Sequence, residues 1–447
     1  MYGGVIALAN AAAAGAQRAL PASTGKLART LRARHGLLED WRHKSELVRD
    51  RRKQLIWFHA PSVGEGLQAR PVIDLLRATH PEVQIAYSYF SPSAEKFASS
   101  LNVDMSGYLP FDSVKSAEMM IDMLAPVALF FSKLDVWPNL VRVAHSRGVK
   151  TGLLSATVAP ASGRRGTLAG ALLRDAYRAL DFVGAIDAHN ASRLEQLGVR
   201  GTTLQVSGDT RFDQVWERAQ GVNRDSALLR SLHSNRPTLV AGSTWPADDA
   251  VLLPAWLNVR AQKPGARMVI APHEPTAEHQ KPIQEWAQTH NLKTRTVSDL
   301  LERSHVDESV QAATKEALIS GQQDNSDVII VDRVGVLGDI YAVADVAFVG
   351  GAFHKAGLHS VIEPAAFGLP VVFGPAFHMS REAGLLAQCG GATSVNSTGQ
   401  CSAALLSYFS NDAERKRAGE NAAEFVKSEL GAANRSVQIV LRSFERP

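Results

Sequence analysis

Short apolar runs alternate with helix-length stretches along most of this chain, and they do so in two separate series. The first series falls at 55–59, 83–87, 127–131, 150–154 and 182–186, the second at 238–242, 267–271, 328–331, 346–349 and 370–373. A run that is apolar without alternation reads as a strand buried on both faces, and the helical spacing between runs makes each pair a βαβ unit. Each series therefore predicts a parallel sheet covered by helices. The expected fold class is α/β, two Rossmann-like domains with an inter-domain cleft, with ligands at the carboxyl ends of the strands.

The expected boundaries are an amino-terminal segment at 1–53, a first domain at 54–206, a charged helical connection at 207–236 and a second domain at 237–447. Residues 297–326 are polar and acidic and are expected to form a surface insertion. A chain of 447 residues is long enough for two or three domains with large cores. Two cysteines, Cys389 and Cys401, without a Cys/His cluster exclude a disulfide scaffold or a structural zinc site.

Net charge is +4, but its distribution decides what it means. Residues 1–53 hold eleven Lys and Arg against four acids, so the remainder carries 37 basic against 40 acidic residues. A body with that balance is not built to wrap nucleic acid. The basic stretch follows an alanine-rich apolar run at 5–20, too short for a confident spanning helix. The combination predicts attachment to the anionic lipid of a cytoplasmic leaflet; a solvated leader is the alternative.

Chemistry is expected directly after the strands. The first strand leads into His59-Ala60-Pro61-Ser62-Val63-Gly64-Glu65, which sets Glu65 at a helix start, where a carboxylate is also useful to the helix itself. Asp135, in Ser132-Lys133-Leu134-Asp135-Val136-Trp137-Pro138, follows the third run and could equally cap the helix opened by Pro138. In the second domain, Gly242-Ser243-Thr244 could cradle a phosphate or cap a helix. His273 ends the next strand. The richest segment is the glycine-rich loop from Gly350 and Gly351 through Lys355 and His359 to a helix expected near Ser360. There Lys355 and His359 suit a phosphate, and Glu363, one turn on, suits a ribose diol.

These motifs together carry a resemblance. The run His59 to Glu65, Asp135-Val136-Trp137-Pro138-Asn139-Leu140, Gly208-Asp209-Thr210-Arg211-Phe212-Asp213, and the stretch from Ala344 through Gly374-Pro375 resemble the 3-deoxy-D-manno-octulosonic acid (Kdo) transferases, in order over roughly residues 20–430. The resemblance implies a GT-B fold and an inverting, metal-independent transfer of Kdo from the donor substrate CMP-Kdo to a lipid A precursor, lipid IVA. It implies no cofactor, and attachment at the cytoplasmic face of the inner membrane. By the same likeness Glu65 is the base, Asp135 stands at a second acidic position, and Ser243, His273, His359, Ser360 and Glu363 belong to the CMP site. The chain departs from the family pattern at Lys133 and Asp135, where acids and a longer Glu are usual, and at Thr157 and Ser360. Two other readings stay open: a GT-B enzyme using a UDP-sugar, either a lipid-linked hexosaminyl transferase or a sugar-nucleotide epimerase, and a catalytically silent scaffold that binds nucleotide or carbohydrate.

Overall fold

The computed structural model describes residues 36–159, 167–302, 324–355 and 357–445. They divide into two compact units, one of residues up to Gln214 together with the chain from Glu429 onward, the other Val215–Ser428.

Seven parallel strands form the sheet of the first unit: β1 (Leu55–His59), β2 (Gln84–Tyr89), β3 (Met105–Tyr108), β4 (Ala128–Ser132), β5 (Lys150–Ala156), β6 (Phe182–Ala185) and β7 (Leu204–Val206). Their order across the sheet is β3-β2-β1-β4-β5-β6-β7. The second unit repeats the plan with β8 (Thr238–Thr244), β9 (Arg267–Pro272), β10 (Thr294–Thr296), β11 (Val328–Ile330), β12 (Val346–Val349), β13 (Val371–Phe373) and β14 (Ala392–Ser394), in the order β10-β11-β9-β8-β12-β13-β14. In each sheet the chain starts at a central strand, completes one half and then crosses back to build the other; in the second sheet it reaches the edge with β10 before β11 fills the place between β10 and β9. The reversal lies between β1 and β4 in one sheet and between β8 and β12 in the other.

Continuous apolar runs suit this plan because successive side chains point to opposite faces. Leu239, Ala241, Met268 and Ile270 enter one core, while Val240, Val269 and Ala271 enter the core on the opposite face. Val297 and Leu300, expected in a surface insertion, are buried in that second core; residues 303–323 of the expected insertion lie outside the described residues.

The chain divides differently from the expected boundaries at both ends. The helix Ala432–Leu441 belongs to the first unit rather than the second, and packs on the helix Val63–Thr79. Asp213 holds it there by accepting hydrogen bonds from the backbone N–H groups of Gly431 (2.8 Å) and Ala433 (3.0 Å). Nearer the start, the helix Leu37–Val48 is built into the first unit through buried Trp41, whose Nε1 donates to the Tyr108 carbonyl at 2.8 Å. Arg49 and Arg51, expected to face lipid, instead donate to the carbonyls that end the helix Val114–Leu124: Arg49 to Leu124 (2.7 Å), Arg51 to Met123 (2.9 Å). These are the orphan acceptors that every helix carboxyl end must satisfy. The apolar run at 5–20 lies outside the described residues, and no described helix is long and apolar enough to cross a membrane.

Candidate active site

Ligands of open α/β sheets gather outside the strand ends where the build-up reverses. In the first unit that point is flanked by the segments after β1 and β4, which carry Glu65 and Asp135. Glu65 is the third residue of the helix Val63–Thr79. The Ser62 hydroxyl donates to its carboxylate and makes no bond to the helix N–H groups, so the pair is not used as an ordinary cap. Ser132 Oγ, at the end of β4, donates to the Glu65 carbonyl at 3.0 Å and ties the two segments together. Lys133 follows in a left-handed conformation (φ 67°), secured by its N–H on the Leu154 carbonyl (2.8 Å), and its Nζ lies 3.8 Å from Glu65 Oε1. A cation therefore stands beside Glu65.

Asp135 does not cap the helix Pro138–Ser146. That work falls to buried Asp112, which accepts from the N–H groups of Asn139 (3.0 Å) and Leu140 (2.9 Å). Asp135 instead accepts from Trp137 Nε1 at 2.8 Å and lies 3.7 Å from His59 Nε2.

In the second unit the reversal point is flanked by Ser243 and Thr244, which end β8, and by the loop after β12. Trp245, not Ser243 or Thr244, stands at the cap position of the helix Pro246–Gln262. Ser243 has φ 54°, and Gly350 passes so close that a Cβ there would sit 2.4 Å from the Ser243 carbonyl oxygen. Gly351 has φ 99°, where a side chain would be strained and would meet the Gly357 carbonyl. Buried Asp248 shapes the same loop: it accepts from the backbone N–H groups of Gly351 (2.8 Å), Trp245 (2.8 Å) and Phe353 (3.2 Å). Burial pushes its carboxyl up from the ordinary carboxylate range, and those three bonds oppose the push.

Four rings gather beside this loop. Trp245 stacks on His273 and on His354, each with ring centroids 4.5 Å apart, and His273 stacks on His359 at the same distance. Trp245 Nε1 donates to His359 Nε2 at 3.1 Å. An indole N–H can only donate, so Nε2 is the unprotonated nitrogen of His359 and Nδ1 carries the hydrogen. Burial, with His273 alongside, pushes the His359 imidazole down to about 4, so the ring is neutral at physiological pH.

Ser360 and Glu363 complete the set. The helix there is a short one, Ile362–Ala366, and opens two residues later than expected. Burial raises the Glu363 carboxyl, while the charge of Arg218 and a side-chain hydrogen bond from Ser360 hold it down. Lys355 is exposed on the loop. Sequence reasoning assigned no role to Trp245, Asp248 or Arg218; an Asp in the first turn after Trp-Pro was the one local sign of Asp248.

A family model described as 3-deoxy-D-manno-octulosonic-acid transferase (kdotransferase) matches residues 29–214. The 3-deoxy-D-manno-octulosonic acid transferase of Haemophilus influenzae is 26% identical over 404 residues, 88% of either chain. That of Bordetella pertussis is 27% identical over 333 residues, 72% of this chain and 71% of its own. Among solved structures, UDP-GlcNAc 2-epimerase from Neisseria meningitidis superposes with a TM-score of 0.58 at 12% identity, covering 88% of this chain and 99% of that one, a likeness of fold alone. Each unit carries one parallel sheet of the kind found in the GT-B fold, and the matches along the chain make the protein similar to the 3-deoxy-D-manno-octulosonic acid transferases, which are glycosyltransferases.

Proposed function

We propose that this protein transfers Kdo from CMP-Kdo to a lipid A precursor, lipid IVA, in lipopolysaccharide synthesis, with inversion at the anomeric carbon and without a metal ion. The observation that carries the reading is the placement of Glu65 and Asp135 on either side of the reversal point of the first sheet, neither one spent on capping. In the reaction the acceptor hydroxyl attacks the anomeric carbon as its proton passes to Glu65, and the anomeric C–O bond breaks with its electron pair leaving on CMP. Lys133 stands where it can steady the Glu65 carboxylate before proton transfer.

The donor nucleotide is assigned to the second unit. There the glycine-rich loop, the hydroxyls of Ser243, Thr244 and Ser360, and the Nδ1–H of neutral His359 offer donors for the phosphate, with Lys355 on the loop and Glu363 for the ribose. His273 and its stacked neighbours supply flat apolar faces beside those donors. The acceptor is a membrane lipid, and the enzyme is assigned to the cytoplasmic face of the inner membrane through its amino-terminal segment and anionic lipid.

The test uses CMP-Kdo generated in situ, a tetra-acylated lipid A precursor, and mass spectrometry of the product. Glu65→Gln is expected to keep CMP affinity and lower turnover by about 10²-fold or more. Near-normal turnover removes Glu65 from the role of base. A preference for UMP over CMP in calorimetry replaces this reading with the UDP-sugar one.

A further inference from the structure

A line of polar side chains runs from the interior of the first unit to Asp135. The parallel register sets His59 of β1 beside Ser88 of β2 and Phe131 of β4. Ser88 is fully buried, and its Oγ lies 2.8 Å from Trp57 Nε1 and 2.9 Å from His59 Nδ1. The indole can only donate, so Ser88 Oγ accepts from Trp57; among the described residues the one acceptor bonded to Ser88 Oγ for its own hydrogen is His59 Nδ1, and we assign that hydrogen to it. That leaves the hydrogen of the neutral imidazole on Nε2.

Nε2 is buried without a hydrogen-bond partner, and it lies 3.7 Å from Asp135 Oδ2. The distance is too long for a hydrogen bond, and a buried donor left unmade is costly. The His59 ring cannot swing away, because it stands edge-on to Phe131 (6.0 Å) and Trp137 (5.5 Å). The carboxylate can move: the Asp135 side chain is 28% exposed while that of His59 is sealed. A shift of under about 1 Å closes the bond on the oxygen that already accepts from Trp137. Hydrogen bonds that serve catalysis are often long in the unliganded state and tighten with substrate.

We propose that His59 is a positioning residue for the acceptor-side chemistry: its Nε2–H closes onto Asp135 Oδ2 when substrate binds and, together with the Trp137 indole, fixes the direction in which that carboxylate faces. Trp57 and Ser88 set the tautomer that makes this possible. The inference rests on the reading that Asp135 serves the acceptor site.

Three measurements on the full chain test it. Nitrogen-15 NMR of the unsubstituted, histidine-labelled protein should show the Nε2–H tautomer for His59, with that proton moving downfield when acceptor is added; an Nδ1–H tautomer overturns the proposal. Turnover of His59→Phe, which keeps a ring in the cage, should fall about 10- to 100-fold with CMP binding unchanged, and His59→Gln, whose amide can still donate towards Asp135, should recover most of the loss. Equal losses in the two variants overturn the proposal. Finally, His59→Phe should add less than about twofold in an Asp135→Asn background. If Asp135→Asn is impaired and His59→Phe still adds its full effect, the proposal falls and the acceptor-site reading stands. Normal turnover by Asp135→Asn removes both.

Discussion

Trp245→Phe separates the two things the indole does in the second unit. Phenylalanine keeps a flat ring for His273 and His354 to stack on but removes the N–H that His359 Nε2 accepts at 3.1 Å. A neutral hydrogen bond of this kind contributes about 0.5–1.5 kcal/mol, and only the unprotonated ring can accept it. Each 1.36 kcal/mol of preference for one protonation state is worth one pH unit, so His359, held down to about 4, should titrate up to about one unit higher in the variant. Long-range proton–nitrogen NMR, with His359 assigned through His359→Gln, reads both the midpoint and the tautomer. CMP calorimetry at neutral pH should show a loss of about three- to tenfold as the Nδ1–H form ceases to be enforced. An unchanged midpoint, or an Nε2–H tautomer in the unsubstituted protein, refutes the hydrogen-bond argument.

The same ring makes a stability prediction with a definite sign. Its folded-state value lies below the ordinary 6.5, so between about 4 and 6.5 the unfolded chain binds more protons than the folded one. Stability is therefore complete above that window and is lost as pH falls through it. The gap corresponds to an order of about 3 kcal/mol. Denaturant unfolding of the second unit should be less steeply acid-sensitive in His359→Gln than in the unsubstituted protein.

Other substitutions have equally local causes. Gly350→Ala places a Cβ against the Ser243 carbonyl and Thr244 Cα, backbone that cannot yield cheaply, and should lower stability by about 1–3 kcal/mol and abolish measurable CMP binding by calorimetry. Asp112→Ala leaves the first turn of the helix Pro138–Ser146 without its acceptors; it should cost about 1–2 kcal/mol in denaturant melts and lower turnover, since that turn adjoins Trp137 and Asp135. Arg49→Gln should destabilise the first unit by about 2 kcal/mol, largely independently of salt, because it strips the Leu124 and Ala125 carbonyls of their donor.

How much of the fold the sequence displayed follows from where each strand lies. The ten apolar runs correspond to β1, β2, β4, β5, β6, β8, β9, β11, β12 and β13, all interior to their sheets. The strands that no run announced are β3, β7, β10 and β14, and these are the four edges. An interior strand must be apolar on both faces, whereas an edge strand is short and partly solvated and may read Thr-Arg-Thr, as β10 does. The positions of Glu65, Asp135, Ser243 and the loop from Gly350 were legible for the same reason: they lie at or just after the carboxyl ends of interior strands at the reversal points. What each side chain does there was not. Whether Asp135 or another residue caps the helix at Pro138 depended on Asp112, which reaches that turn only through tertiary folding.

The amino-terminal charge shows the same limit at the scale of a segment. Counted along the sequence, eleven basic residues form one patch. In the folded chain Lys44, Arg49 and Arg51 donate to carbonyls of the first unit, Arg42 pairs with Glu39, and Arg52 pairs with Asp50. Those cations still contribute to the field, which falls off over a Debye length of about 10 Å, but the guanidinium groups of Arg49 and Arg51 cannot turn to a lipid phosphate without abandoning helix-terminal carbonyls. On the proposal that this segment meets anionic lipid, direct contact falls to Lys53, to Arg42 and Arg52, whose exposed ion pairs are weak, and to Arg18, Lys26, Arg29, Arg32 and Arg34, which precede the described residues. Charge in this segment thus divides into a part that builds the first domain and a part that can be offered to a membrane, a division that only the bonds of Arg49 and Arg51 reveal.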